Sequence, residues 1–143
     1  MGAGGTQGTP KPSTRMAVLI IESFTRVFVD AGQLQKAMLF YKGLLDGKIT
    51  LRFIYQETGL ELAAVSSPHL SVLIICGPSD QRAPFEATLL TIQVDRLEPY
   101  VAKLNEAGLE QIQPVQKTPV GRNTRFRHPD GLIVEYVDHD GPA

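Results

Sequence analysis

The chain has only one cysteine, Cys76, and no tryptophan among its 143 residues. A lone cysteine excludes an intramolecular disulfide and any zinc site built from several cysteines. An excess of one charge sign is also missing, because 14 basic and 15 acidic residues give a net charge of −1. The overall charge therefore indicates neither a nucleic-acid partner nor an acidic solvating segment.

Long hydrophobic runs are missing as well. The apolar run at residues 17–21 is five residues long. It is too short for the apolar part of a signal peptide and far too short to span a bilayer. We therefore expect a soluble, cytoplasmic protein with no membrane partner.

Glycine and proline are concentrated at the start of the chain. Residues 1–13 contain four of the 13 glycines and two of the 10 prolines, with little apolar surface to bury. This composition predicts a flexible tail over residues 1–15. Residues 16–143 are then expected to form a single domain, since such a length suits one hydrophobic core.

Helical periodicity occurs twice in this domain. Apolar residues three and four positions apart predict a first helix over residues 33–45. A second helix is predicted to follow Asp95, with Asp95 as the N-cap, Glu98 completing a capping box and Gly108 ending the helix.

Strand patterns surround both helices. Before the first helix, residues 17–21 and 24–30 predict two separate short strands. After it, strands are predicted at 49–55, 60–64 and 69–76. Residues 77–84 are predicted to be a loop from their Gly, Pro, Ser and Asp content. Strands at 88–94, 109–115, 121–128 and 132–138 accompany the second helix.

The order β-α-β-β-β therefore occurs twice, with a period of about 60 residues. The two modules span about residues 24–76 and 87–138. Because neither module can bury its sheet face alone, we expect them to share one core. The predicted fold is α+β, with two βαβββ modules forming a curled mixed sheet around a concave cup. A cup of this kind favours small-molecule binding.

Three segments carry a family resemblance. They are Val27–Val29 with the helix LQKAMLFY, the junction TIQVDRL, and the hairpin FRHPDGLIVEY that ends at Tyr136. In this order and spacing they resemble the vicinal oxygen chelate superfamily, which includes glyoxalases, extradiol dioxygenases, fosfomycin-resistance enzymes and bleomycin-binding proteins. The resemblance covers about residues 24–138.

The resemblance implies a divalent metal ion held by His, Glu or Gln side chains from four strands. The corresponding positions here are Arg26, Ile75, Leu89 and Glu135. Isoleucine and leucine have no lone pair to donate, and a protonated arginine repels a cation. We therefore expect no metal at this site and no cofactor.

A charged pair is expected in place of the metal. If Glu135 points into the cup, Arg26 is the partner that would offset its desolvation. Such a pair is consistent with a grip on an anionic or carbonyl group of a ligand. It is equally consistent with a purely structural ion pair, or with a Glu135 that points to solvent.

Other residues are predicted to face the cup. Phe28, Phe53 and Tyr55 occupy strand positions from which aromatic rings would stack on a flat ligand, although ordinary core packing is the simpler interpretation. Leu89 and Thr91 are expected on the cup face of the second module. We thus predict a ligand-binding set of Arg26, Phe28, Phe53, Tyr55, Leu89, Thr91 and Glu135.

Basic side chains cluster near the end of the chain. Arg122, Arg125 and Arg127 suit either an anion-binding wall or, as we favour, a solvated edge strand. The histidines are expected at the surface or at strand ends, without a metal-binding role; they are His69, His128 and His139.

Three functions are compatible with these patterns. The first is metal-free binding of a small organic ligand by a homodimer, with neither nucleic acid nor membrane as a partner. The second is a metal-dependent lyase, isomerase or dioxygenase with a rearranged ligand set that includes Glu135. The third is protein interaction, with the cup filled by the protein's own side chains.

Overall fold

The computed structural model describes residues 19–139. The tail predicted over residues 1–15 and the predicted start of the domain at residue 16 lie outside the described residues. None of the helices formed by residues 19–139 is both long and apolar enough to cross a membrane.

The first half of the described chain contains one helix and four strands. In chain order these are β1 (Ile20–Val29), α1 (Leu34–Leu45), β2 (Lys48–Tyr55), β3 (Leu60–Ser66) and β4 (Ser71–Cys76).

A short helical connection leads to the second half. It consists of α2 (Ser79–Arg82) and a 3-10 turn (Ala83–Phe85). The elements that follow are β5 (Thr88–Val94), α3 (Leu97–Glu106), β6 (Glu110–Thr118), β7 (Gly121–Arg127) and β8 (Ile133–Asp138).

All eight strands form one sheet in the order β2-β3-β4-β1-β5-β8-β7-β6. Within each half, the first strand pairs in parallel with the last, β1 with β4 and β5 with β8. The antiparallel pair β1–β5 joins the two halves at the centre of the sheet. The predicted α+β fold, a curled mixed sheet of two βαβββ modules, is confirmed.

Alternation along the strands separates the two faces of the sheet. On β3, Ala63 and Val65 pack under α1 together with Met38. Their neighbours Leu62 and Ala64 belong to a second apolar cluster, on the concave side. The helices therefore cover one face only, and the other face is left to form the cup.

The predicted division between strands 17–21 and 24–30 is wrong within the described residues. Residues 20–29 form one strand, in which Glu22 and Ser23 pair with Gln93 and Ile92 of β5. The strand is continuous because pairing with β5 runs through Glu22 and Ser23.

The predicted loop at residues 77–84 is also wrong in part, because α2 and the start of the 3-10 turn lie in it. Arg82 at the end of α2 forms an ion pair with Asp30 at 3.3 Å. Gly, Pro, Ser and Asp indicate a change of chain direction, but they occur in single helical turns as well as in loops.

The predicted capping box at α3 is wrong. The N-cap position is Arg96 rather than Asp95, and no side chain of the N-cap bonds back to the helix. Instead, Oδ2 of Asp138 in β8 accepts a hydrogen bond from the Leu97 N–H at 2.9 Å. Glu98 turns to Arg122, whose Nη1 donates to it at 2.7 Å.

Asp138 thus connects the helix to the sheet. Its carboxylate is fully buried and also accepts a hydrogen bond from Nη2 of Arg122 at 2.5 Å. The hydrogen bonds to Glu98 and Asp138 raise the pKa of Arg122 above its ordinary value. The hydrogen bond from Arg122 lowers the pKa of Glu98.

We expect Asp138→Ala to lower the free energy of unfolding by about 3 kcal/mol, because it leaves Arg122 without its buried partner and the Leu97 amide without an acceptor. Urea denaturation followed by circular dichroism measures this loss. Glu98→Ala is the matched control, since it removes the exposed partner of the same arginine and should cost less than about 1 kcal/mol. Equal losses for the two variants would contradict the assigned role of Asp138.

Candidate functional site

The cup has one apolar wall and one polar wall. The apolar wall comes mainly from the first half and includes Phe24, Leu51, Phe53, Leu62, Leu73 and Ile75. The polar wall comes from β6 and β7 and includes Gln113, Gln116, Thr118, Asn123 and Arg125. A ligand in the cup would therefore meet hydrophobic surface on one side and hydrogen-bonding groups on the other.

The cavity between these walls has a volume of about 80 Å³, so the cleft is narrow. This volume lies below the range of typical small-molecule pockets.

The expected ion pair between Arg26 and Glu135 is present in the cup. Nη2 of Arg26 donates to Oε1 of Glu135 at 3.2 Å, and the two side chains are only 6% and 10% exposed. The pair links β1 to β8 across β5, the strand that lies between them in the sheet. The alternative that Glu135 points to solvent is thereby excluded.

Glu135 accepts hydrogen bonds from three side chains. Besides Arg26, Oγ1 of Thr91 donates to Oε1 at 2.8 Å, and Nδ2 of Asn123 donates to Oε2 at 2.7 Å. Both carboxylate oxygens are therefore engaged, and the desolvation of this buried charge is offset by charge and by hydrogen bonds together.

The hydrogen bonds continue from Asn123 along the polar wall. Oδ1 of Asn123 accepts from Nε2 of Gln113 at 2.9 Å. Oε1 of Gln113 in turn accepts from Nε of Arg125 at 3.0 Å. The side-chain amides of Asn123 and Gln113 therefore each donate through nitrogen to one neighbour and accept through oxygen from the other.

Thr88 closes this chain of hydrogen bonds. Its Oγ1 accepts from Nη1 of Arg125 at 3.3 Å, and its backbone carbonyl accepts from Nη1 of Arg26 at 3.1 Å. The result is a closed circuit of hydrogen bonds, here called the polar ring, made of Arg26, Glu135, Asn123, Gln113, Arg125 and Thr88.

Burial and neighbouring charges affect two titratable groups here. Burial lowers the pKa of Arg26, the charge of Glu135 opposes this, and the charge of Arg125 adds to the lowering. Partial burial raises the pKa of Tyr55, and the charges of Glu57 and Glu135 add to that rise. Arg26 remains a cation, because an arginine in a protein does not lose its proton.

The structure brings together most of the predicted site residues. Arg26, Phe53, Tyr55, Thr91 and Glu135 line the cup. Phe28 does not line it, although it packs, partly buried, against the apolar cluster on the concave side of the sheet. Leu89 is 50% exposed and is also absent from the lining.

Among the polar site residues that sequence reasoning missed are Gln113, Asn123, Arg125 and His139. Arg125 was expected on a solvated edge strand, but β7 is an inner strand because β6 covers it. The sequence contained one signal for these residues. Asn123 and Arg125 are two positions apart, so their side chains lie on the same face of β7. They pair with Val137 and Glu135 of β8. His139, expected at the surface or at a strand end, directly follows β8 and lines the cup. His128 forms a hydrogen bond with Tyr136, and His69 is exposed.

The donor set does not fit the divalent metal ion that the resemblance implies. Within residues 19–139, no three His, Cys, Asp or Glu side chains lie close enough together to hold a metal ion. A guanidinium stands at the position of one implied ligand, and its charge opposes that of a cation. Glu135, the remaining implied ligand, has both oxygens engaged in the polar ring.

Removing either partner of the buried ion pair should be costly. We expect Arg26→Met and Glu135→Met each to lower the free energy of unfolding by about 3 kcal/mol, because each leaves an uncompensated buried charge. The double variant should lose much less than the sum, since it leaves neither charge unpaired. Urea denaturation of the four proteins in this double-mutant cycle measures the coupling, and additive losses would contradict it.

Comparison with known proteins was made at the levels of sequence and structure. The family model of the Glyoxalase/Bleomycin resistance protein/Dioxygenase superfamily matches residues 23–136. No curated protein matches the chain.

Several solved structures resemble the protein. A structure described as an uncharacterised protein from Methanosarcina mazei shares 37% sequence identity with a TM-score of 0.75, covering 85% of this chain and 94% of that chain. The methylmalonyl-CoA epimerase from Mycobacterium tuberculosis shares 19% identity with a TM-score of 0.61, covering 87% and 90%.

A Streptomyces coelicolor methylmalonyl-CoA epimerase variant in complex with 2-nitronate-propionyl-CoA shares 13% identity with a TM-score of 0.54, covering 82% of this chain and 96% of that chain. At such identities the likeness to the two epimerases concerns the fold. The family match, by contrast, spans most of the described sequence, and the chain belongs to the Glyoxalase/Bleomycin resistance protein/Dioxygenase superfamily.

Proposed function

We propose that the protein binds a small organic ligand in the cup and that no divalent metal ion takes part. The observation that carries this proposal is the polar ring, in which Arg26 and Glu135 neutralise each other where the family places metal ligands. The cup next to this pair keeps a narrow cavity of about 80 Å³ between its walls.

The apolar wall supports binding of a ligand with a hydrophobic body. The rings of Tyr55 and Phe85 lie side by side with their centroids 6.5 Å apart, and Phe53 lines the cup near them. Aromatic side chains contribute large contact area with few rotatable bonds, so little conformational entropy is lost when a ligand packs against them. The narrow cavity that remains argues against complete filling of the cup by the protein's own side chains.

A metal-dependent lyase, isomerase or dioxygenase is the alternative function. His139 lines the cup together with Glu135, which provides two metal-binding side chain types in one cavity. A metal ion would have to take Glu135 from Arg26, Thr91 and Asn123, and it would then approach the guanidinium of Arg26. That competition makes the alternative the weaker one. The homodimer and the cytoplasmic location remain predictions.

The first test of this proposal is metal binding. Isothermal titration with Zn²⁺, Mn²⁺, Ni²⁺ and Fe²⁺, together with elemental analysis of the purified protein, should show no stoichiometric metal. Glu135→Gln is the diagnostic variant, because it removes the negative charge but keeps a side chain of the same shape. One metal ion per chain that is lost in Glu135→Gln would establish the alternative instead.

The second test is ligand binding measured as thermal stabilisation. Compounds that fit the cup should raise the melting temperature, because a ligand at 100 times its Kd stabilises the folded state by about 2.7 kcal/mol. Phe53→Ala should abolish the shift, since it removes part of the apolar wall. Ile54→Ala is the matched control, because Ile54 is the next residue on β2 and is 51% exposed outside the cup. Shifts that are the same in both variants would place binding elsewhere.

A further inference from the structure

Arg125 differs from the other arginine of the cup in having no acidic partner among the residues that the structure describes. Among the described residues it forms no ion pair, and its hydrogen bonds go to neutral acceptors, Oε1 of Gln113 and Oγ1 of Thr88. These bonds use Nε and one hydrogen of Nη1. A guanidinium has further N–H donors on Nη1 and Nη2, and these have no protein partner within residues 19–139.

Arg26, by comparison, already has an acidic partner. Its Nη1 donates to the carbonyl oxygens of Thr88 and Phe85, and its Nη2 donates to Glu135. Its Nε is buried and has no hydrogen-bond partner among the described residues. Since Glu135 balances the charge of Arg26, the grip on a ligand, for which the sequence made Arg26 one candidate, is better suited to Arg125.

Counted over residues 19–139, the charges that line the cup leave an excess of one positive charge. Arg26 and Arg125 face a single carboxylate, Glu135, and His139 adds no negative charge. Arg125 lies directly opposite Glu135 in the strand register, yet Gln113 and Thr88 hold its guanidinium instead. The guanidinium is therefore held in place before a ligand arrives, which reduces the entropy lost on binding.

We infer that the ligand of the cup is an amphipathic carboxylate, with its carboxylate on Arg125 and its apolar body against Phe53, Tyr55 and Phe85. This inference rests on the proposed function. A carboxylate matches the planar, two-pronged arrangement of guanidinium donors. Its single negative charge also balances the excess charge of the cup, whereas a phosphate dianion would exceed it.

The test is isothermal titration with matched pairs of probes. The acids are phenylacetate, 4-phenylbutyrate and octanoate, and each is compared with its primary amide, which has nearly the same shape but no charge. We expect at least one acid to bind. Its amide should bind at least about tenfold more weakly, because a hydrogen bond to a charged group is worth more than a neutral one. Phenylphosphonate serves as the comparison for phosphate-like anions.

Arg125→Gln should reduce the affinity for the acid to that for the amide. Arg127→Gln is the matched control, because it removes an arginine from the same strand that pairs with Glu110 and does not line the cup. It should leave both affinities unchanged. Arg125→Lys keeps the charge but loses the two-pronged geometry, so it should retain a reduced preference for the acid. This variant replaces Arg125→Gln if Arg125→Gln does not fold.

The outcomes separate this inference from the proposed function. Equal affinity of acid and amide in the native protein, or an acid preference that survives in Arg125→Gln, overturns the inference while binding in the cup still stands. Tighter binding of phenylphosphonate that is lost in Arg125→Gln overturns the assignment to carboxylates. If no acid binds, the inference is wrong, and the thermal shifts that depend on Phe53 then decide the proposed function separately.

Discussion

The structure depends on one buried negative charge, the carboxylate of Glu135. A carboxylate removed from water is costly unless a positive charge and hydrogen-bond donors replace the solvent. Here the donors come from β5 and β7, which flank β8 in the sheet, and from β1, which lies beyond β5. Satisfying this one group therefore requires the two halves of the sheet to meet in a single register.

The same requirement shapes what the cup can do. Because Glu135 is occupied by Arg26, Thr91 and Asn123, it is poorly suited to bind a metal ion. The polar ring extends from this carboxylate to Arg125, whose positive charge is not balanced by an acidic residue in the part of the chain that the structure describes. Two arginines around a single carboxylate suit an anionic ligand. Several carboxylates and histidines would suit a metal ion instead.

Much of the fold could be predicted from local patterns. The spacing of Leu34 and Met38 predicted α1, and the alternation from Leu51 to Tyr55 predicted the strand that forms one side of the cup. Prediction failed where a distant partner decides the local structure. Asp95 and Glu98 have the spacing of a capping box, but the cap comes from Asp138, 41 residues away from Leu97. No short-range pattern contains that information.

By itself, the sequence determined the repeated order of elements and the near absence of metal-binding side chains at the positions where the family places them. These are properties of residue type and spacing, which folding cannot alter. Tertiary structure alone decided that, within residues 19–139, Arg26 has an acidic partner and Arg125 has none. Both are arginines on strands, and only the register and the closure of the polar ring place one against a carboxylate and the other against neutral oxygens.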